Sequence, residues 1–256
     1  MSILSIIIII LSMFAGVIYH EYGHMRAAKK YNIPVSQFVV GFGKPFATKK
    51  GEDGTEYGIA PLPLGGYCVI DADKLNKASL DVFTKISLAG VLRNFVLGTV
   101  MIVTGKLCIM RGVVDFDVLL NAVYQCIYAL FAYLNSFIDN MFNFSQIASQ
   151  GGVVTQIGQA GEILADVSVL NTIGSTLIMG GILNYSLCLL NILPIPGLDG
   201  GQIITRYICV GFKKFFNVNV KEEFVYNINL ACIVAICAYQ VFLLLFDLPF
   251  VRNLFL

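Results

Sequence analysis

A long apolar run opens the chain and ends in a cluster of ionisable side chains. Residues 3–24 are long enough, as a helix rising roughly 1.5 Å per residue, to cross the hydrocarbon layer of a membrane. Yet His20, Glu21 and His24 stand at the end of this run. Ionisable groups inside a transmembrane helix are energetically costly, so their presence indicates a functional site.

We expect this first segment to be a retained transmembrane helix and not a signal peptide. It has no basic region at its start and no small-residue cleavage site after it. Basic residues follow it directly, beginning with Arg26, Lys29 and Lys30. Because cytoplasmic loops carry an excess of Lys and Arg, this end is predicted to face the cytoplasm, with the N-terminus outside.

The composition extends the membrane prediction to the whole chain. Hydrophobic residues make up 57% of the sequence and charged residues 13%, and the mean hydropathy is +0.78. Soluble domains usually carry about 25% charged residues. We therefore expect a multi-pass protein of the cell membrane. The net charge of +1 gives no electrostatic basis for nucleic-acid binding, and the 7 scattered cysteines are interpreted as free thiols.

The predicted fold is an all-α polytopic membrane protein. We expect a bundle of about four core transmembrane helices, a small membrane-associated β-hairpin or sheet after the first helix, and one additional amphipathic or membrane helix. All of these belong to a single domain, residues 1–256. The segments are a first core helix (1–30), a β-rich segment (35–70), a second core helix (83–109), an amphipathic helix (116–142), a third core helix with the LDG segment (173–212) and a last helix (224–246).

The sequence HEYGH is an H-E-x-x-H motif. Four residues advance a helix by about 400°, which places both imidazoles on one face, one turn apart. That spacing lets both rings reach one zinc ion at roughly 2.0–2.1 Å. Glu21 projects at a different angle and can act as the general base. The chain has only 2 histidines, and both belong to this motif.

A catalytic zinc site usually has three protein ligands, so a third ligand is needed. Asp199 is the candidate that topology favours, because it follows an apolar span and lies in a segment broken by prolines and glycines. An alternative role for Asp199 is an N-cap for the helix that begins near Gly200. Asp247 also follows an apolar run, but it is expected at the opposite end of the last span.

Several motifs together resemble the site-2 protease family of intramembrane zinc metalloproteases. The resemblance covers nearly the whole chain, and its strongest signals are HEYGH and NILPIPGLDG. The other matching stretches are PLGGY (63–67), LAGVLRNF (88–95) and GGVVTQIGQAGE (151–162). One departure is Val91, which stands where the family's A-G-P-x-x-N-F pattern has proline.

The resemblance implies Zn²⁺ held by His20, His24 and Asp199, with Glu21 as the catalytic acid and base. It also implies that Asn191 and the region of Asn94 help to arrange the substrate. Many bacterial members carry PDZ domains between the second and third core spans. The connection after residue 105 is expected to be too short for one, so a regulatory membrane partner could replace it.

A substrate that is itself a membrane helix must unwind before it can be cleaved. Its exposed backbone then needs new partners, because unsatisfied groups in lipid cost several kcal/mol each. The segment EYGIAPLPLGGY is predicted to offer a strand edge to it, with substrate contacts from Gly58, Ile59, Leu62, Gly65 and Gly66. The alternative is that this segment only plugs the site or packs on the membrane surface.

The predicted function is hydrolysis of peptide bonds in or near the transmembrane segments of single-span proteins or signal-peptide remnants. Two other interpretations remain open. The chain could be a catalytically silent scaffold or metal-dependent transport protein of the same fold. It could also be a zinc peptidase of unrelated fold, with Glu162 or Glu222 as the third ligand.

Overall fold

The computed structural model describes residues 3–109, 124, 128 and 169–245. The described helices are α1 (Ile3–Lys30), α2 (Ala72–Lys77), α3 (Leu80–Ile109), α4 (Val169–Ile192), α5 (Asp199–Phe216) and α6 (Glu222–Leu245). Apart from two helical tyrosines, the predicted amphipathic helix at 116–142 lies outside the described residues, as does the whole stretch 151–162.

Three of the described helices are long and apolar enough to cross a membrane. They cover Leu4–Lys30, Leu80–Ile109 and Val169–Ile192, and they correspond to the first three predicted core helices. The predicted last helix, 224–246, coincides with α6 as far as Leu245. Its role as a fourth core span stays a prediction.

The β-rich segment forms a four-stranded sheet in the order β2-β3-β1-β4. Its strands are β1 (Val35–Phe42), β2 (Ala47–Lys50), β3 (Glu56–Ile59) and β4 (Leu62–Ile70). Strand β1 pairs in parallel with β3 and antiparallel with β4, while β2 pairs antiparallel with β3. Strand β3 is therefore interior, and β4 is an edge of the described sheet.

The described residues divide into two compact units by their contacts. One unit comprises Leu11–Gly98 and Leu183–Asn229, and the other contains the remaining described residues. In this second unit, Gly105 and Gly174 bring the backbones of α3 and α4 together, since a Cβ on either glycine would overlap the carbonyl oxygen of the other. All the predicted site residues belong to the first unit.

The core of the first unit joins the end of α1 to the sheet and to α3. Its buried side chains are Met25, Ala28, Ile33, Val35, Phe38 and Ile86. Helices α1 and α3 approach closely at Gly23 of HEYGH, where a Cβ would be 2.6 Å from the carbonyl oxygen of Ala89. Nearby, the guanidinium of Arg93 lies 4.7 Å from the ring centroids of both Tyr19 and Tyr22. The histidine-bearing end of α1 is thus held against α3.

The break between α4 and α5 folds the chain back on itself. Pro194 and Pro196 lie in it and cannot donate helical hydrogen bonds, and Gly197 adopts a φ of 98°, which favours glycine. A Cβ on Gly201 would overlap the carbonyl of Ile195. The glycine therefore allows the first turn of α5 to pack closely against the backbone of the preceding segment. Asp199 consequently lies in the first turn of a new helix.

Candidate metal centre

Three side chains from distant parts of the sequence converge in the first unit. The Nε2 atoms of His20 and His24 are 3.0 Å apart. The Asp199 Oδ2 atom lies 3.1 Å from the former and 3.3 Å from the latter. These three form a group that can hold a metal ion, the only one of its kind within the residues that the structure describes.

The distances in this group suit zinc. Ligand atoms at 2.0–2.1 Å from a tetrahedral zinc ion lie roughly 3.3 Å from one another, close to the three separations in the structure. The Asp199 Oδ2 atom is buried and has no donor hydrogen directed at it from the described residues, although both Nε2 atoms are near. Buried atoms with lone pairs facing one another are costly unless a proton or a cation lies between them, and a metal ion fits all three separations.

Asp199 does not act as the N-cap of α5. The N-cap residue is Leu198, which makes no side-chain cap hydrogen bond. The Asp199 carboxylate is directed instead at the two imidazoles, with only 14% of its side chain exposed. The capping alternative therefore does not describe this aspartate.

Residues of helix α3 contact both imidazoles. The His24 Nδ1 atom lies 2.8 Å from the carbonyl oxygen of Ile86, and the His20 Nδ1 atom lies 3.2 Å from Nδ2 of Asn94. Between them, a Cβ on Gly90 would be 2.8 Å from His20 Nε2 and would overlap His24 Nε2. Gly90 thus leaves space where the metal ligands meet.

Glu21 shares a cavity of about 410 Å³ with the three candidate ligands. The backbone amide of Cys68 on β4 faces the Glu21 carboxylate. Burial, together with the nearby charge of Glu21, raises the pKa of the Cys68 thiol to about 12, so it is protonated at neutral pH. Glu21 thus lies beside the three candidate ligands without belonging to their group, in a position where it could act as an acid or a base.

The predicted substrate contacts fall into two sets. Four of them line the cavity: Gly65, Gly66, Asn94 and Asn191. Among the described residues, the cavity wall does not include Gly58, Ile59 or Leu62. Strand β3 carries the first two of these and is paired on both sides, so the structure does not bring them to the site. Leu62 begins β4 and is 54% exposed.

Two contributions to the site were missed by sequence reasoning. Gly90 and the carbonyl of Ile86 are not chemically distinctive, and both occur in an apolar span. The available signal was a spacing, since Ile86, Gly90 and Asn94 are each four residues apart and therefore share one face of a helix. That face could have been matched to the two histidines, which are also four residues apart.

The alternative third ligand Glu222 lies outside the metal group. Its carboxylate accepts a 3.5 Å hydrogen bond from Asn76, and it does not belong to the group formed by the two histidines. The other alternative, Glu162, lies outside the described residues.

Comparison with known proteins places these motifs in a family context. The family model described as peptidase family M50 matches residues 8–236. The zinc metalloprotease Rip1 of Mycobacterium tuberculosis is 39% identical over 71 residues, which are 27% of this chain and 17% of that protein. The regulator of sigma E protease of Haemophilus influenzae is 37% identical over 89 residues, 30% of this chain and 20% of that protein. The aligned segments thus span a fifth or less of these relatives' length.

Proposed function

This chain belongs to peptidase family M50, the site-2 protease family that its motifs resemble, and on that premise we propose that it is an intramembrane zinc endopeptidase. It would hydrolyse peptide bonds in or near transmembrane segments of single-span proteins or signal-peptide remnants. The observation that carries the proposal is the convergence of His20, His24 and Asp199 in the cavity that also contains Glu21. The name of one relative, the zinc metalloprotease Rip1, supports zinc as the ion.

The chemistry of the site divides between the ion and the protein. Bound zinc supplies Lewis-acid activation of water and of the scissile carbonyl at neutral pH. Glu21 accepts the proton of the attacking water and returns it to the leaving amine. His20, His24 and Asp199 hold the ion, and the close packing of α1 against α3 keeps the imidazoles oriented.

The family and the three apolar helices indicate a multi-pass membrane protein. Hydrolysis requires water, which the hydrocarbon core lacks, so the cavity must open to an aqueous phase. We assign that opening to the cytoplasmic side of the cell membrane, because Lys29 and Lys30 end α1 just beyond the histidines. The bilayer and membrane-protein substrates are the expected partners.

The free edge of β4 is the candidate binding surface for an unwound substrate. The Val40 carbonyl accepts a 2.8 Å hydrogen bond from Ala60, so the backbone groups of Val40 are directed away from β4. Gly66, which pairs with Val40, therefore directs its own N–H and C=O to the free edge. Cys68, two residues further on, has the same orientation, in agreement with its amide facing Glu21.

This edge can be tested by removing one backbone donor. We expect Cys68→Pro, which lacks the N–H, to bind a transmembrane substrate about tenfold or more weakly, since an unsatisfied backbone group costs about 1–3 kcal/mol. The matched control Cys68→Ala removes the thiol and keeps the N–H. Both are compared in a Glu21→Gln background, by co-purification of an uncleaved substrate. Equal substrate binding by the two variants would reject the β4 edge as the binding surface and favour the alternative that this segment only plugs the site.

The proposed function itself is tested on the purified wild-type chain in detergent or nanodiscs. We expect one zinc ion per chain by elemental analysis, and cleavage of a generic single-span substrate. A chelator should abolish cleavage, and added zinc should restore it. Zinc binding without any cleavage would favour the silent scaffold, while the absence of stoichiometric metal would refute the proposal.

A further inference from the structure

One face of α3 matches the histidine pair residue by residue. Ile86, Gly90 and Asn94 are spaced four apart on α3, and His20 and His24 are spaced four apart on α1. Ile86 contacts His24, Asn94 contacts His20, and Gly90 lies beside both rings. This correspondence suggests that α3 controls which nitrogen of each imidazole carries the proton.

In the hydrogen bond between His24 and Ile86, only one assignment of donor and acceptor is possible. A backbone carbonyl only accepts hydrogen bonds, so at 2.8 Å from the Ile86 oxygen the Nδ1 atom of His24 must carry the hydrogen. In the neutral ring, Nε2 then has a free lone pair, and Nε2 is the atom directed at His20 and Asp199. The Ile86 carbonyl therefore selects the tautomer that can bind a metal ion.

His20 needs the same tautomer, and its Nδ1 atom has the Asn94 amide as partner. The assigned orientation directs the amide nitrogen at Nδ1, 3.2 Å away. In that orientation, the Asn94 Oδ1 atom is buried without a hydrogen-bond partner among the described residues. The two ends of an amide are assigned from their surroundings, and both fit the same space. Rotating it by 180° lets Oδ1 accept a hydrogen from Nδ1 and leaves Nε2 with its lone pair.

We propose that Asn94 is a positioning residue whose amide oxygen accepts the Nδ1 hydrogen of His20 and thereby presents Nε2 to the metal ion. The inference rests on the proposed function, because it needs a metal at this site. It differs from the expected role in substrate binding. Asn94 is 1% exposed, so its amide is available to the ring beside it and scarcely to a substrate.

Zinc affinity of Asn94 variants tests this role without any cleavage. In the Glu21→Gln background, zinc affinity is measured by competition with a chromophoric chelator. Asn94→Leu, which has no acceptor, should bind zinc about 10–100-fold more weakly, the usual effect of losing such a partner. Asn94→Asp keeps an oxygen acceptor in nearly the same shape and should bind at least as tightly as the parent.

A control separates metal positioning from general loss of packing. Asn184 is also fully buried in the first unit, 0% exposed, and its amide donates to the Ser12 carbonyl at 3.5 Å. Asn184→Leu should lower the thermal stability of the metal-free protein and leave zinc affinity unchanged. Metal-free unfolding is measured for every variant, so that a folding defect is recognised.

The outcomes distinguish the inference from the proposed function. If Asn94→Leu binds zinc as tightly as the parent, or if Asn94→Asp loses as much affinity as Asn94→Leu, then Asn94 does not select the tautomer. If Asn94→Leu does not fold, the Asn94→Asp measurement decides alone, since retained affinity supports the acceptor role and a 10-fold or larger loss, on the order expected for a missing partner, overturns it. A parent that binds no zinc overturns the proposed function and this inference with it.

Discussion

Asp199→Ala is expected to lose both the bound zinc and the proteolytic activity. The substitution removes one of three converging ligand atoms and leaves only the imidazoles of His20 and His24. Catalytic zinc sites generally require three protein ligands. The loss of zinc affinity should therefore exceed the roughly 10–100-fold caused by losing an outer partner of a ligand. Elemental analysis after dialysis, together with cleavage of a single-span substrate, measures both effects.

A purely structural role for Asp199 predicts a much smaller effect. A carboxylate in the first turn of a helix stabilises it by about 0.3–1 kcal/mol through the helix dipole, and its removal would leave the metal in place. Asp73→Ala provides the matched control, because Asp73 is an exposed aspartate in the first turn of α2. Full zinc retention by Asp199→Ala would exclude this residue as a ligand and remove the basis of the proposed centre.

Glu21→Gln is expected to separate metal binding from catalysis. Glutamine has nearly the shape of glutamate, so the cavity and the three ligands should be unchanged and one zinc ion per chain should remain. The amide cannot take up the proton of the attacking water, and loss of a general acid–base group typically lowers the rate by about 10²–10⁴-fold. The measurements are zinc content and single-turnover cleavage in the same preparation.

The control for this substitution is Glu52→Gln, which changes an exposed glutamate of the loop between β2 and β3. It should have the zinc content and cleavage rate of the wild type. Cleavage by Glu21→Gln at more than about a tenth of the wild-type rate would show that another group transfers the proton, because the expected loss is at least about 10²-fold. Loss of zinc from Glu21→Gln would instead make Glu21 a ligand.

Much of the secondary structure could be predicted because it depends on neighbours in the chain. Apolar runs longer than the hydrocarbon thickness indicate the three helices that are apolar enough to span a membrane. Short segments rich in β-branched residues, separated by glycines, indicated the β-rich region, now seen as four strands. The order of the strands in the sheet could not be predicted, because β1 pairs with β3 although β2 lies between them in the sequence. We expected Gly58 and Ile59 at a free strand edge. The structure places them on the interior strand β3, and β4 forms the edge.

The sequence by itself determined the chemistry available to this protein. The spacing of His20 and His24 is a property of one helix, and it predicts two candidate ligands and Glu21 before any folding is known. Only the tertiary structure brought the Asp199 carboxylate within 3.3 Å of both imidazoles and set Asn94 against His20. The physical reason is that ligand spacing within a helix follows from its 3.6-residue turn. Contacts between helices depend on close packing, here at Gly23 and Gly90, whose partners lie far away in the chain.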